Sequence, residues 1–319
     1  MIREIAIISG KGGTGKTSIV GSLAYLAENK IMVDCDVDAA NLQLILSGKT
    51  NLSEDFIGSK KAEIIQDKCN NCGICTEYCR FDAIKEKTDT TANITQFYVD
   101  EISCEGCGVC AKFCPDDAII LKDHISGKWF ITETKYGPLV HAKLGIAEAN
   151  SGKLVSLLRK TAHDLAVKNN HEMIIIDGSP GIGCPVIASL TGINYALMVT
   201  EPTVSAIHDM KRLFELTQHF GIKTGVCINK YDINVKLCDT INQFSQDNNI
   251  KVLSRIPYDI GVTKAQIKGV PYLEYSKNGI SKSIYELWNN LKEELIITEI
   301  GAQKTNIENN KLIQLDKLH

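Results

Sequence analysis

Hydrophobic residues in this chain fall mostly into short continuous runs, and stretches with helical spacing separate the runs. The runs that predict buried strands of a parallel sheet cover residues 5–9, 173–177, 195–200, 224–228 and 251–256. The stretches that predict helices cover residues 17–29, 204–219, 234–248 and 281–297. This alternation predicts an α/β fold with a doubly wound parallel sheet, which binds its ligand at the carboxyl ends of the strands.

The composition is that of a globular protein, but its cysteine content is unusual. Of the 319 residues, 44% are hydrophobic and 23% are charged, and the net charge is −3. Neither a disordered chain nor a broad nucleic-acid-binding surface is therefore expected. No apolar run approaches the roughly 18 residues that a membrane span needs. Because the N-terminus does not have the pattern of a signal peptide, the twelve cysteines favour metal binding in the cytoplasm over a disulfide framework.

Eight of the twelve cysteines form two runs with the spacing C-x2-C-x2-C-x3-C. The runs are Cys69, Cys72, Cys75 and Cys79, and then Cys104, Cys107, Cys110 and Cys114. The spacing resembles that of bacterial ferredoxins with two [4Fe–4S] clusters, in which the fourth cysteine of each run binds the other cluster. The resemblance implies one cluster on Cys69, Cys72, Cys75 and Cys114, and a second on Cys104, Cys107, Cys110 and Cys79. A pair of zinc sites or unligated thiols is the alternative.

A glycine-rich turn follows the first predicted strand and precedes the first predicted helix. Residues 10–17 read G-K-G-G-T-G-K-T and satisfy the P-loop pattern G-x4-G-K-[ST]. Backbone N–H groups of such a loop surround phosphate, Lys16 reaches the β- and γ-phosphates, and the Thr17 hydroxyl binds Mg²⁺. The residues predicted to bind nucleotide here are Gly10, Gly12, Gly13, Thr14, Gly15, Lys16, Thr17 and Ser18.

Three segments together resemble the MinD/ParA/Mrp family of P-loop ATPases, which includes the nitrogenase iron protein. Lys11 gives the deviant P-loop of this family, Asp36 lies where its switch I has a water-activating aspartate, and residues 177–181 resemble its switch II. The resemblance implies an ATP-dependent homodimer, in which Lys11 contacts the nucleotide across the interface. It also implies that Asp36 and Asp177 help Thr17 to bind Mg²⁺, and that the Gly181 N–H binds the γ-phosphate. The predicted catalytic residues are Lys11, Lys16, Asp36 and Asp177.

The base-binding residues are less sharply defined by the sequence. Residues 229–232 read N-K-Y-D, a pattern in which GTPases use the aspartate to bind guanine. MinD-like proteins instead contact adenine with an asparagine at this place, and residues 256–259, I-P-Y-D, resemble their base loop. We therefore favour ATP over GTP and predict that Asn229 and Pro257 contact the base.

The order of the motifs predicts an interrupted domain. A P-loop ATPase domain covers residues 1–60 and 126–300, an α+β ferredoxin domain is inserted at residues 61–125, and a polar tail occupies residues 301–319. Within the insert, residues 85–95 are polar and predict a loop or a hairpin tip. The tail lacks the basic amphipathic pattern of a membrane-binding helix, so membrane binding is not expected.

The leading functional prediction is an ATPase that couples its nucleotide state to electron transfer, acting on a redox partner or a metal-cofactor-assembly partner. A carrier or scaffold for an iron–sulfur or molybdenum cofactor is one alternative, and a MinD-like spatial regulator is another. Cys184, seven residues after Asp177, has the spacing of a cluster-binding cysteine in the nitrogenase iron protein. Because the second cysteine of that pair is missing, a small loop residue and a transient metal ligand are both open interpretations.

Overall fold

The structure is a computed structural model and describes residues 2–89, 94–145, 148 and 151–316. Its strands are β1 (Arg3–Ser9), β2 (Lys30–Asp34), β3 (Gly48–Ile64), β4 (Ile84–Asp89), β5 (Ile94–Val99), β6 (Ile119–Thr134), β7 (Gly137–Leu144), β8 (Met173–Pro180), β9 (Tyr195–Thr200), β10 (Thr224–Asn229) and β11 (Lys251–Ile256). Its α-helices are α1 (Lys16–Leu26), α2 (Leu42–Ile45), α3 (Ile74–Tyr78), α4 (Val109–Lys112), α5 (Ser151–Asn169), α6 (Cys184–Leu190), α7 (Val204–His219), α8 (Val235–Asp247), α9 (Ile260–Ile267), α10 (Tyr272–Tyr275) and α11 (Ser281–Asp316).

A nine-stranded sheet has the order β11-β10-β9-β1-β8-β2-β7-β6-β3. Strand β1 pairs in parallel with both β8 and β9, and β8 also pairs in parallel with β2. The register places Asp34, at the end of β2, beside Asp177 of β8. Because parallel strands end at the same edge of a sheet, the loop after β1 reaches the same place as these two carboxylates.

Helices cover both faces of the parallel part of this sheet. Ile5 and Ile7 belong to a buried cluster that also contains side chains of α1 and α11. Ala6 and Ile8 are fully buried as well, and side chains of a strand point alternately to opposite faces. Helices α5, α6 and α7 pack against β1, β2, β8 and β9 and cover the opposite face of the sheet. The predicted α/β fold with a doubly wound parallel sheet is therefore confirmed in this part of the chain.

The chain forms two compact units. The larger unit comprises Met1–Leu52, Phe130–Ala142 and Ser151–His319, and the second comprises Ser53–Trp129 and Lys143–Asn150. We call the second the cysteine unit, because it contains both cysteine runs. Each unit buries one tryptophan, Trp288 in the larger unit and Trp129 in the cysteine unit, with 8% and 9% of their surfaces exposed.

The cysteine unit extends beyond the predicted insert, residues 61–125. Strand β3 continues through residue 61 and strand β6 continues through residue 125, so each predicted boundary falls inside a strand. Within the unit, β4 and β5 form an antiparallel pair from Ile84 opposite Val99 to Asp89 opposite Ile94. The segment predicted as a hairpin tip thus lies mostly in two strands, while residues 90–93 lie outside the described residues.

Helix α11 is longer than the sequence pattern predicts. The expected helix ends at residue 297, whereas α11 runs from Ser281 to Asp316 and includes most of the predicted tail, residues 301–319. No proline interrupts this stretch, and Glu, Gln, Lys and Leu within it favour a helix. Residues 317–319 lie outside the described residues. No helix in the described part of the chain is both long enough and apolar enough to cross a membrane.

Candidate functional site

The loop after β1 forms one wall of a large cavity in the larger unit. Gly13 and Gly15 have φ angles of 81° and 91°, a left-handed conformation that glycine adopts without strain. A Cβ atom at residue 15 would also overlap the side-chain amide of Asn229. Helix α1 begins at Lys16, immediately after this turn, so the loop presents backbone N–H groups at a helix N-terminus. This geometry suits a bound phosphate group.

Lys16 lies among carboxylates at the floor of the cavity. Its ammonium donates a hydrogen bond to Asp177 and lies 3.7 Å from Oδ2 of Asp36. Lys16 is 5% exposed and Asp177 is fully buried. Burial by itself lowers the pKa of Lys16, but the carboxylates of Asp177, Asp36 and Asp34 together outweigh it, and the pKa is raised. Lys16 is therefore held in its charged form at the position where phosphate oxygens would lie.

A third carboxylate, Asp34, lies behind these groups and holds switch I in place. It is fully buried and accepts hydrogen bonds from the backbone N–H of Asp36 at 3.1 Å and of Leu42 at 3.0 Å. Burial raises its pKa to about 8, and the nearby Asp177 carboxylate acts in the same direction. The pKa of Asp36 is raised as well, first by burial. Nothing in the local sequence distinguishes Asp34 from an ordinary loop or cap residue, so its support of Asp36 is visible only in the structure.

Two buried oxygens at this site have no hydrogen-bond partner among the described residues. They are Oδ2 of Asp177 and the hydroxyl oxygen of Thr14. A buried carboxylate oxygen without a partner is costly unless water or a cation satisfies it. Thr17 and Asp36 line the adjoining cavity, and carboxylate and hydroxyl oxygens are ligands that Mg²⁺ prefers. The residues predicted to bind Mg²⁺, Thr17, Asp36 and Asp177, therefore fit that ion.

The cavity has a volume of about 790 Å³, which is within the range of small-molecule sites. The glycine-rich loop, switch I and the ends of β10 and β11 line it. The predicted nucleotide-binding residues among its lining are Gly12, Gly13, Thr14, Gly15, Lys16, Thr17, Ser18, Asn229 and Pro257. The structure thus brings these residues to one cavity, whereas Gly10 and Gly181, which were also predicted to bind nucleotide, are not among the residues that line it.

The last residue of β10 and the residue that follows it are tied to the glycine-rich loop by their side chains. Asn229 donates from Nδ2 to the carbonyl oxygen of Thr14 at 2.7 Å, and Lys230 donates from Nζ to that of Gly13 at 2.9 Å. Asp232 accepts a hydrogen bond from the backbone N–H of Tyr258 at 2.7 Å. The aspartate of the N-K-Y-D segment is therefore engaged in holding the β11 loop.

Lys11 turns away from its own phosphate loop. Its ammonium lies 2.9 Å from the Glu201 carboxylate and donates to the hydroxyls of Thr203 and Ser205, each at 3.1 Å. Glu201 also pairs with Lys230 at 2.9 Å. Burial by itself raises the pKa of Glu201. The hydrogen bonds and charges of Lys230 and Lys11 lower it by more, so the pKa of Glu201 is below its ordinary value. Sequence reasoning did not identify Glu201.

Switch II differs from its prediction in one contact. The N–H of Gly181, predicted to bind the γ-phosphate, donates here to the carbonyl oxygen of Ser9 at 2.9 Å. Gly181 has a φ of 92°, which lets the chain turn back toward β1. Ser179 donates to the carbonyl oxygen of Cys35 at 2.6 Å and so links switch II to switch I. Cys184 is exposed at the start of α6.

Two smaller cavities lie in the cysteine unit, and four cysteines line each of them. The first set is Cys69, Cys72, Cys75 and Cys114, and the second is Cys79, Cys104, Cys107 and Cys110. Each set combines three cysteines of one run with the last cysteine of the other run. Among the described residues, no three or more His, Cys, Asp or Glu side chains form a group that could hold a metal ion.

Backbone N–H groups point at the two cysteines that cross between runs. Ala83 donates to Sγ of Cys79 and Ala118 donates to Sγ of Cys114, both at 3.3 Å. The two alanines occupy equivalent positions in the repeat. The helices α3 and α4 begin after Gly73 and Gly108, which share a φ of 76°. The two halves of the unit therefore have the same local geometry.

His141 is a buried histidine outside the cavity. It is 3% exposed, shares a hydrogen bond with the Thr132 hydroxyl at 2.9 Å and stacks on Phe130 with ring centroids 5.0 Å apart. Burial lowers its pKa from 6.5 to about 4. These contacts are those of a hydrogen-bonded core residue.

The histidine predicts a pH effect on stability. Between pH 6.5 and 4 the unfolded chain binds a proton at His141 and the folded chain does not, so stability present above pH 6.5 is lost as the pH falls toward 4. The loss is up to about 3 kcal/mol. We expect His141→Gln to reduce this dependence, measured by denaturant unfolding followed by circular dichroism. Equal pH slopes for both proteins would contradict the prediction.

The fold and the cavity together define a P-loop nucleotide-binding protein. Comparison with known proteins makes the family specific: residues 5–272 match the CobQ/CobB/MinD/ParA nucleotide-binding domain. The chain belongs to this family. Membership in the MinD/ParA class of P-loop proteins, predicted from the sequence, is thus confirmed.

Individual relatives agree with this assignment. An uncharacterised protein of Methanocaldococcus jannaschii is 37% identical over 297 residues, which is 92% of this chain and 98% of the relative. The septum site-determining protein MinD of Buchnera aphidicola is 21% identical over 309 residues, 91% of each chain. Among solved structures, MinD from Pyrococcus horikoshii in complex with Mg-ADP superposes with a TM-score of 0.56 at 17% identity, covering 93% of this chain and 99% of that one. The last similarity supports the fold. The two cluster sites and the nitrogenase relation are not addressed by these comparisons and stay predictions.

Proposed function

We propose that this protein is an ATP-hydrolysing switch of the MinD/ParA type. The observation that carries the proposal is that Lys16 and Asp36 line a nucleotide-sized cavity together, while the buried carboxylate of Asp177 pairs with Lys16 from behind. Lys16, held charged by Asp177, would neutralise charge on the β- and γ-phosphates. Asp36, whose pKa is raised by burial, would hold and orient the attacking water. Mg²⁺ on Thr17, Asp36 and Asp177 would supply charge neutralisation at the phosphates.

We propose ATP, and not GTP, as the nucleotide. Asp232, which would have to bind guanine, is engaged by the Tyr258 backbone, while Asn229 and Pro257 line the cavity. The test compares ATP and GTP turnover by the purified protein with Mg²⁺ and with a chelator. Turnover of ATP that requires Mg²⁺ is expected, and a strong preference for GTP would overturn the assignment.

A homodimer formed in the presence of ATP is part of the proposal. Lys11 is held by Glu201, Thr203 and Ser205 of its own chain, so it must leave them before it can reach the nucleotide of a second copy. Glu201 also pairs with Lys230, so a single carboxylate links Lys11 to the segment that begins after β10, beside the predicted base site. Dimer formation is therefore in competition with contacts inside the chain.

Glu201→Gln is expected to strengthen ATP-dependent association by about tenfold, because it removes one charged hydrogen bond that retains Lys11. Sedimentation equilibrium with a non-hydrolysable ATP analogue measures the effect. Glu215→Gln, an equivalent change at an exposed site on α7, serves as the control. Unchanged or weaker association of the Glu201 variant would show that the carboxylate does not restrain the dimer.

We further propose that the cysteine unit holds two [4Fe–4S] clusters and that ATP hydrolysis is coupled to electron transfer through them. The chain's own residues fit such clusters: four cysteines line each cavity, and Ala83 and Ala118 donate hydrogen bonds to cysteine sulfur. A cubane takes one thiolate on each iron, so its four ligands surround it and do not meet at one ion. When bound, each cluster supplies a site that accepts and releases one electron.

Anaerobic reconstitution tests this part of the proposal. About eight irons and as many sulfides per chain are expected. ATP turnover of the reduced and oxidised protein is then compared in the presence of a redox partner. If the protein held zinc or no metal, the iron–sulfur assignment would be wrong, while the ATPase assignment would stand. A carrier or scaffold would instead contain an additional labile metal that a chelator removes.

A MinD-like spatial regulator is the second candidate, and the comparisons by themselves favour it over electron transfer. The relatives and structures named above include septum site-determining MinD proteins, whereas none is named for iron–sulfur chemistry. This candidate predicts ATP-dependent recruitment to a membrane, to DNA or to a protein partner, without any need for the clusters. Co-sedimentation with lipid vesicles, with and without ATP and with the cluster cysteines replaced by serine, distinguishes the two.

A further inference from the structure

Two aromatic rings stack on the surface of the cysteine unit. Tyr78 and Phe113 have ring centroids 4.4 Å apart and planes only 3° from parallel. The two residues occupy the same position in the internal repeat, each directly before the last cysteine of its run. We call them the aromatic pair. It joins the C-terminal ends of α3 and α4, so it lies where the two halves of the unit meet.

The aromatic pair is unusually exposed for side chains of its size. Tyr78 is 45% exposed and Phe113 is 47% exposed, and the neighbouring Phe81 is 44% exposed. Exposed rings that are rigidly stacked lose little conformational freedom when another surface covers them, and aromatic residues are enriched at binding hot spots. Stacking explains why the rings are held together but leaves their outer surfaces in water. A partner surface would remove that apolar area from solvent.

The pair is also next to the cysteine sites. Tyr78 and Phe81 line the cavity of the second cysteine set, together with Cys79 and Cys107. Phe113 is bonded to Cys114, which lines the first cavity. A protein docked on the pair would therefore be separated from either cysteine set by little more than one side chain.

The charges around the pair indicate the kind of partner. Residues 69–82 and 104–117 contain five exposed carboxylates and two exposed cationic side chains, and one of the carboxylates, Asp82, pairs with Lys85 just outside these ranges. The carboxylates are Glu77, Asp82, Glu105, Asp116 and Asp117. Clusters bound by four thiolates would add further negative charge to this surface. A partner with a flat apolar centre and a surrounding ring of lysine and arginine is complementary to it.

From these observations we propose that the aromatic pair is the docking site of a basic redox protein that exchanges single electrons with the cysteine unit. The inference rests on the proposed iron–sulfur function. In the transfer, a reduced cluster loses one electron and the metal centre of the partner gains it, with no bond broken and no proton moved. An external reductant or a donor protein supplies the electron to the cluster.

The experiment uses the full chain, reconstituted anaerobically and reduced with dithionite, which is then removed. Cytochrome c, a small basic haem protein, serves as the probe, and its haem absorbance reports the electron received. We expect rapid reduction that slows as ionic strength rises, because opposite charges steer the encounter. Rubredoxin, a small acidic protein, is expected to be reduced more slowly.

Tyr78→Ala combined with Phe113→Ala is expected to lower the rate of cytochrome c reduction by about tenfold or more. Iron and sulfide content and the reduction potentials should not change. Tyr98→Ala is the matched control, because Tyr98 is 47% exposed in the same unit but lies on β5, outside the pair. Its rate should equal that of the unaltered protein.

Each outcome has a defined meaning. If the unaltered protein binds no clusters, the proposed function and this inference both fail. If clusters are present but the alanine variant reduces cytochrome c at the normal rate, the docking site alone is wrong. Should the alanine variant lose its clusters, Glu77→Gln with Glu105→Gln replaces it, and this variant must show slower reduction and a weaker salt dependence. An unchanged salt dependence, or self-association through the pair in sedimentation, would overturn the inference.

Discussion

Replacing Asp36 by alanine is expected to lower ATP turnover by about a thousandfold while ATP binding stays within a few-fold. Asp36 lies close to Lys16 but is not paired with it as tightly as Asp177 is, so its carboxylate remains available to a water molecule. The raised pKa of Asp36, caused first by burial, makes it a better proton acceptor than an exposed aspartate. Phosphate release measures turnover, and a fluorescent ATP analogue measures binding.

Asp38→Ala is the control for this experiment. Asp38 also lines the cavity, but it is exposed, so loss of its carboxylate should change turnover by only a few-fold. If both variants lost activity equally, charge in switch I would be what matters, and the role assigned to Asp36 would be wrong. If Asp36→Ala kept normal turnover, the attacking water would have to be positioned by another group.

The division of the cysteines between the two cavities predicts how much iron each double cysteine variant retains. Cys79 lines the same cavity as Cys107, whereas Cys72 lines the other one. Cys79→Ala with Cys107→Ala should therefore remove one cluster and leave about four irons. Cys79→Ala with Cys72→Ala should disturb both clusters and leave almost none. Iron and sulfide analysis after anaerobic reconstitution measures the difference.

The opposite result would have an equally clear interpretation. If each run bound its own cluster, the Cys72 and Cys79 double variant would be the one to keep about four irons. Single substitutions at Cys79 and Cys107 serve as controls and should each remove one cluster. Circular dichroism of the apoproteins shows whether a variant that lost all iron has also lost its secondary structure.

The sequence is most informative where the determinants are close together in the chain. The glycine-rich loop is a contiguous segment whose strand and helix adjoin it, so its conformation follows from local rules. The cysteine repeat is also local, because the spacing within each run brings three of its cysteine side chains to the same small cavity. Asp177 was identified because it ends an apolar run, and a run of that kind has a defined place in a parallel sheet.

Features that depend on distant segments were not predictable in the same way. Glu201 meets Lys11 only because β9 and β1 are neighbours in the sheet, and nothing in its local sequence indicates that pairing. Strand β3 is exposed at most of its positions, so it lacks the alternation by which a strand is recognised. The hydrogen bonds of Asp34 to switch I likewise depend on a loop closing back over β2.

The distribution of tryptophan gives each unit its own optical signal. The chain contains two tryptophans, and Trp129 and Trp288 are both nearly buried, one in each unit. Emission from a Trp129→Phe chain therefore reports on the larger unit, and emission from a Trp288→Phe chain reports on the cysteine unit. Melting curves of these two chains reveal whether loading one unit with ATP, or the other with iron, changes the stability of its neighbour.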